Sequence, residues 1–186
     1  MLLPRPGIHQ VAGKLTATHQ ARAESDVLMV HVEMTVPTSA EQIFAVLSDG
    51  WLFAAWVVGA SHIRAVDPEW PAVGSRLHYS VGVWPCTVDD STQVSDVDPP
   101  HLLELEAKLR PLGAAWIRLE LTETGLDQTE VRMYEHIKRG PGIFVPDLFQ
   151  EVLLLPRNKE SLSRLADLAV GRAQSAANYR QREQHP

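Results

Sequence analysis

The sequence predicts an α+β fold: a curved seven-stranded antiparallel sheet wrapped around a long C-terminal helix, with two short helices after the first strand. Three observations predict it. Residues 27–36, VLMVHVEMTV, alternate apolar and polar side chains with the period of a half-buried strand. Six more short runs follow between residues 61 and 138, each closed by a Gly-, Pro- or Asp-containing turn signal, the pattern of an antiparallel meander. Residues 147–170 then carry Leu155, Leu162, Leu165 and Ala169 at helical spacing.

In the first strand Leu28, Val30, Val32, Met34 and Val36 share a face, and Pro37 ends it. In TSAEQIFAVLSD, Thr38 or Ser39 can cap a short helix with Glu41 or Gln42 three residues on, and Ile43, Phe44 and Leu47 form its apolar stripe. GWLFAAWVVG supplies the second short helix. The meander strands are expected at 61–66, 76–83, 87–97, 102–109, 115–122 and 130–138. Asp147 can cap the final helix, and Pro156, which has no N–H, should kink it or begin its main part. Residues 147–170 would span ~36 Å as a helix, against ~30 Å across seven strands, so the helix can cross the whole sheet. Residues 1–26 show no period and read as an N-terminal tail or arm. The domain is expected over 27–171, and 172–186 as a polar tail that continues the helix in frayed form.

Of 186 residues, 45% are hydrophobic and 22% charged, enough for a packed core in one domain. The net charge of −6 argues against a nucleic-acid partner, which needs a basic footprint. No stretch approaches the ~20 apolar residues of a membrane span, so no integral membrane association is expected. Pro4, Arg5, Pro6 and Gly7 break up any signal-peptide core. One cysteine, Cys86, permits neither an internal disulfide nor a cysteine-based zinc cluster. A soluble cytoplasmic protein is the expectation.

The order strand, two short helices, six-strand meander, long helix is the helix-grip arrangement. In GWLFAAWVVGA (50–60), WPAVGSRLHYSVGVWP (70–85), DPP (98–100), GLDQTEVRM (125–133) and RNKESLSRLADLA (157–169), the chain resembles the SRPBCC superfamily. These are START-like and polyketide cyclase/dehydrase-type ligand-binding domains, and the likeness is greatest to an actinobacterial-type subgroup. The resemblance covers residues 27–171. It implies a cavity for a small hydrophobic, lipid- or polyketide-like molecule. It carries over no catalytic residue, because fold does not settle function.

Strand parity identifies the interior. Leu77, Tyr79, Val81 and Val83 share one face; Arg76, His78 and Ser80 share the other. Leu103, Leu105, Ala107 and Leu109 point in from the fourth meander strand, and Ala115, Ile117, Leu119 and Leu121 from the fifth. In the sixth, Val131, Met133 and Ile137 point in, and Glu135 falls on their face. A carboxylate there must be paired or neutral. If Val88 and Val94 point in, so do Asp90 and Thr92, and Asn158 shares a helix face with Leu162 and Leu165. Tyr79, Asp90, Thr92, Glu135 and Asn158 thus converge on an apolar interior, the chemistry of a small-molecule pocket. Plainer readings stand beside this one. A bulge would turn Glu135 outward, Asn158 could satisfy carbonyls freed by Pro156, Asp90 could face water, and Tyr79 could be simple core.

The expected pocket wall is Trp56, Tyr79, Val81, Thr92, Leu119, Met133, Glu135 and Asn158. Trp84 and Phe144 stand at a mouth with Leu112, Ile143 and Val145, since alternate meander turns lie at one end. Those mouth residues could equally plug the core or form a homodimer contact. Trp51 is expected only to fasten the short helices to the long one.

His31, His78 and His136 fall on outward faces, with His31 and His136 as neighbours if the first and last strands pair; no third ligand is evident, so no metal is expected. No nucleotide or triad fingerprint appears, and no cofactor is expected. The first reading is a non-catalytic binding protein. The second is a cyclase/dehydratase-like enzyme without metal, with Glu135 or Asp90 as general base and Tyr79 as hydrogen-bond donor to an enolate. The third is an interaction protein that uses its mouth or N-terminal arm.

Overall fold

The computed structural model describes residues 29–83, 86–109, 113–139 and 147–184. The strands are β1 (Val30–Val36), β2 (Ala60–Val66), β3 (Arg76–Val83), β4 (Cys86–Asp98), β5 (Leu102–Leu109), β6 (Gly113–Gly125) and β7 (Gln128–Arg139). They form one seven-stranded antiparallel sheet in the order β1-β7-β6-β5-β4-β3-β2. Between β1 and β2 lie α1 (Ala40–Leu47), a 3-10 turn (Gly50–Leu52) and α2 (Phe53–Trp56); α3 (Asp147–Gln184) closes the chain. This is the helix-grip α+β fold.

The core follows from side-chain parity. Leu103, Leu105, Leu119, Leu121, Val131 and Met133 are buried on one sheet face, while Glu104, Glu106, Arg118 and Glu120 between them reach the other side. Against the buried face pack Ile43, Phe44 and Leu47 of α1, Phe53 and Trp56 of α2, and Leu162, Leu165 and Ala169 of α3. Each fully covered aliphatic side chain contributes about 1.5–3 kcal/mol, so this shared cover is what fastens the helices to the sheet.

Several details differ from expectation. The hairpin β6–β7 is longer at both ends, where Glu123 pairs with Thr129, Gly125 with Gln128 and Ala114 with Arg139, with a register shift at each end. The helix α3 runs on through residues 172–184, the stretch read as its frayed polar continuation. That segment holds no Pro or Gly and is rich in Ala, Gln and Arg, residues that propagate a helix even in water. The helix also runs on through Pro156, whose ring lies on its exposed side. Ser39 occupies the N-cap of α1 but makes no side-chain capping bond. The α1 entry is held instead by a buried bond in which the Thr129 hydroxyl donates to the Thr38 carbonyl at 2.8 Å.

Trp51 does not fasten the short helices, since it is 62% exposed. At the preceding residue, Gly50, an added Cβ would lie 2.6 Å from Val66. The backbone is pressed inward there, and the next side chain leaves outward. The fastening tryptophan is Trp70, whose indole N–H donates to the Leu47 carbonyl at 3.1 Å in a buried setting. No helix among the described residues is long and apolar enough to cross a membrane. Trp84, Leu112, Ile143, Phe144 and Val145, expected at the mouth, lie outside the described residues, as does the expected N-terminal arm.

Candidate functional site

Tyr79 and Asp90 stand opposite each other on β3 and β4, and Thr92 lies two residues further along β4 on the same face. All three are buried. The Tyr79 and Thr92 hydroxyls share a hydrogen bond of 3.1 Å. Phe53 of α2 lies against the Tyr79 ring at a centroid distance of 5.2 Å, and Trp56 against Phe53 at 5.4 Å. Burial pushes the Tyr79 phenol up to about 12; Asp90 and Glu135 add to the rise, while the Thr92 bond and Arg157 oppose it. Tyr79 is therefore a neutral hydrogen-bonding group across the physiological range. The Asp90 carboxylate accepts the Ser91 N–H at 2.8 Å.

Glu135 is on β7, opposite Val30 of β1 and Ile117 of β6, and is fully buried. A bulge does occur in β7, between the pairs Ala115–Ile137 and Ala114–Arg139. It falls beyond Glu135 and leaves that side chain facing in. From α3, Arg157 Nη2 donates to both Glu135 oxygens, at 2.6 and 2.5 Å. Arg157 Nε and Nη2 also approach Asn158 Oδ1, each at 3.3 Å. Asn158 is fully buried, and its Nδ2 has no acceptor among the described residues. The amide therefore does not serve the carbonyls freed by Pro156. Its orientation is fixed by chemistry: exchanging O and N would set an amide N–H group against a guanidinium, which has only donors. One turn on, Ser161 donates to the Arg157 carbonyl at 2.9 Å and accepts the Val58 N–H at 3.1 Å, tying the end of α2 to α3.

The structure thus brings Tyr79, Asp90, Thr92, Glu135 and Asn158 into one apolar interior, where Trp56, Leu119 and Met133 are also buried and Val81 is half-buried. Val88 has the parity of Asp90 yet is 43% exposed; parity sets the face and cover sets burial. Sequence reasoning missed Arg157. The signal available was the requirement that an inward carboxylate be paired, together with an arginine adjacent to Asn158. The ion pair crosses from helix to sheet over 22 residues of chain, and no local spacing reveals that.

The histidines do not assemble. His31 stands opposite Tyr134 rather than His136 and stacks on its ring at 4.8 Å, while His136 packs on Trp116 at 4.9 Å. The β1–β7 register pairs His31 with Tyr134, two residues along β7 from His136. No group of three or more His, Cys, Asp or Glu side chains able to hold a metal occurs among the described residues.

Comparison with solved structures finds this fold widely. A conserved protein from Geobacillus kaustophilus matches with a TM-score of 0.62 and 11% identity, over 77% of this chain and 96% of its own. The Zhui aromatase/cyclase from Streptomyces sp. R1128 matches with a TM-score of 0.61 and 16% identity, over 80% and 98%. The di-domain aromatase/cyclase StfQ of the steffimycin biosynthetic pathway matches with a TM-score of 0.62 and 10% identity, over 86% of this chain and 56% of its own. At such identities the likeness concerns the fold. No curated protein matches the sequence. The family model described as polyketide cyclase / dehydrase and lipid transport matches residues 28–170, and the chain belongs to that family.

Proposed function

We propose that this protein binds a small hydrophobic molecule between the sheet and α3, with the buried polar groups as its anchors and without chemical conversion. One observation carries the reading: a cluster of buried polar groups, one arm of it an ion pair, lies inside an interior otherwise built from aliphatic and aromatic side chains. Burying the Glu135 carboxylate costs several kcal/mol before its attraction to Arg157 is counted, so such a cluster is a poor route to stability. Sparse polar groups within an apolar lining are what a ligand site needs for orientation. The family, whose description joins polyketide cyclisation with lipid transport, supports the same class of ligand.

The binding reading is favoured over the cyclase reading by Arg157. A general base must come within reach of the proton it takes, and Arg157 donates to both Glu135 oxygens and occupies that approach. An enzyme built on this site would have to use Asp90 as base, with Tyr79 as the neutral donor opposite it. Native mass spectrometry of gently purified protein should show excess mass that organic extraction removes, and Trp56→Ala should lower its occupancy. A protein that carries no such mass and takes up none from a panel of apolar compounds would end this reading.

A further inference from the structure

We infer that the ligand is a neutral molecule that presents a carbonyl-type acceptor oxygen to Asn158 Nδ2, and that carboxylates are rejected; this rests on the pocket reading above. The first half follows from the amide. Asn158 is fully buried, its oxygen is committed to Arg157, and its Nδ2 faces no acceptor among the described residues. A buried donor left unmet costs about 1–3 kcal/mol, and almost all buried polar groups have a partner. A ligand oxygen supplies one. Since Nδ2 is a donor only, the complementary group is an acceptor: a ketone, ester, lactone or amide carbonyl.

The second half follows from the surrounding charges. Among the described residues the cation at this site is Arg157, and Glu135 already engages it with both oxygens. Asp90 and Glu135 are both buried here. Each disfavours negative charge at the Tyr79 hydroxyl, as the direction of that group's pKa shift records, and Arg157 alone among the three favours it. A ligand carboxylate would be stripped of water and meet the same two carboxylates with no further cation among the described residues to pair with, which is costly. A neutral carbonyl satisfies the amide and brings no charge. The inference narrows the ligand class: a free fatty acid is the wrong chemistry, and a neutral ketone or ester of similar size is the right one.

Three naphthalenes of matched shape test this by titration calorimetry at neutral pH: acetonaphthone, ethylnaphthalene and naphthoate. The ketone should bind about tenfold more tightly than the hydrocarbon, the scale of one buried hydrogen bond, and naphthoate should bind weakest. In Asn158→Leu, acetonaphthone should lose its advantage while ethylnaphthalene still binds. Should that variant not fold, Asn158→Asp keeps the shape and replaces the donor by an acceptor, with the same expected loss. Equal binding of ketone and hydrocarbon, or naphthoate as tight as the ketone, overturns the inference and leaves the pocket standing. Binding of none of the three overturns the pocket reading and the inference together.

Discussion

Glu135 and Arg157 form an asymmetric pair. The carboxylate side chain is 1% exposed and the guanidinium side chain 26%. Removing either partner therefore has unequal consequences. Arg157→Ala leaves a fully buried carboxylate without a counter-charge and should cost about 3 kcal/mol or more. Glu135→Gln leaves a cation that can reach water and should cost less. Urea unfolding of the two variants checks the order, and equal losses would mean that the pair is more open to water than its geometry implies. Tyr79 offers a second test at the same scale. Its folded pKa lies above its unfolded value, so the folded state keeps a proton that the unfolded state has released. The stability this represents is intact below pH 10 and is lost as pH rises from 10 towards about 12. Tyr79 should ionise in this late step. A spectrophotometric titration should show it, and Tyr79→Phe should remove it.

Helix α3 has two halves that differ in what holds them. Up to Ala169 it buries Leu154, Asn158, Ser161, Leu162, Leu165 and Ala169 against the sheet and the short helices. Beyond that its side chains are mostly exposed, and the described tie is an ion pair from Arg172 to Asp49 at 3.0 Å with both partners partly exposed. Exposed pairs of this kind contribute ~0–1 kcal/mol. Leu162→Ala should therefore destabilise by about 2–5 kcal/mol, whereas deleting residues 174–186 should cost under ~1 kcal/mol. Amide hydrogen exchange should show protection falling after residue 172. Uniform protection along α3 would show that something covers the second half. The boundary was legible in the sequence as the point where apolar spacing stops. That the helix itself does not stop there reflects its Ala- and Gln-rich composition.

In the whole molecule, seven strands, two short helices and a long helix meet around one core, and their order along the chain was readable from local patterns alone. Alternation with period two and a leucine stripe at helical spacing are short-range signals, and each directs a face toward the core without knowledge of the rest. By the same reasoning strand and helix parity put Tyr79, Asp90, Thr92, Glu135 and Asn158 on inward faces, with an outward Glu135 or Asp90 still open, and in the structure all five are buried. Tertiary structure alone decided who their partners are. The β1–β7 register set His31 beside Tyr134 and kept it from His136. The crossing of α3 over β7 gave Glu135 its arginine. The fold of the loop before β3 made Trp70, not Trp51, the tryptophan that locks the short helices. Periodicity fixes the direction a side chain leaves the backbone. Pairing across distant segments depends on register and helix placement, which are set by the packing of the entire core and are written in no single stretch of the chain.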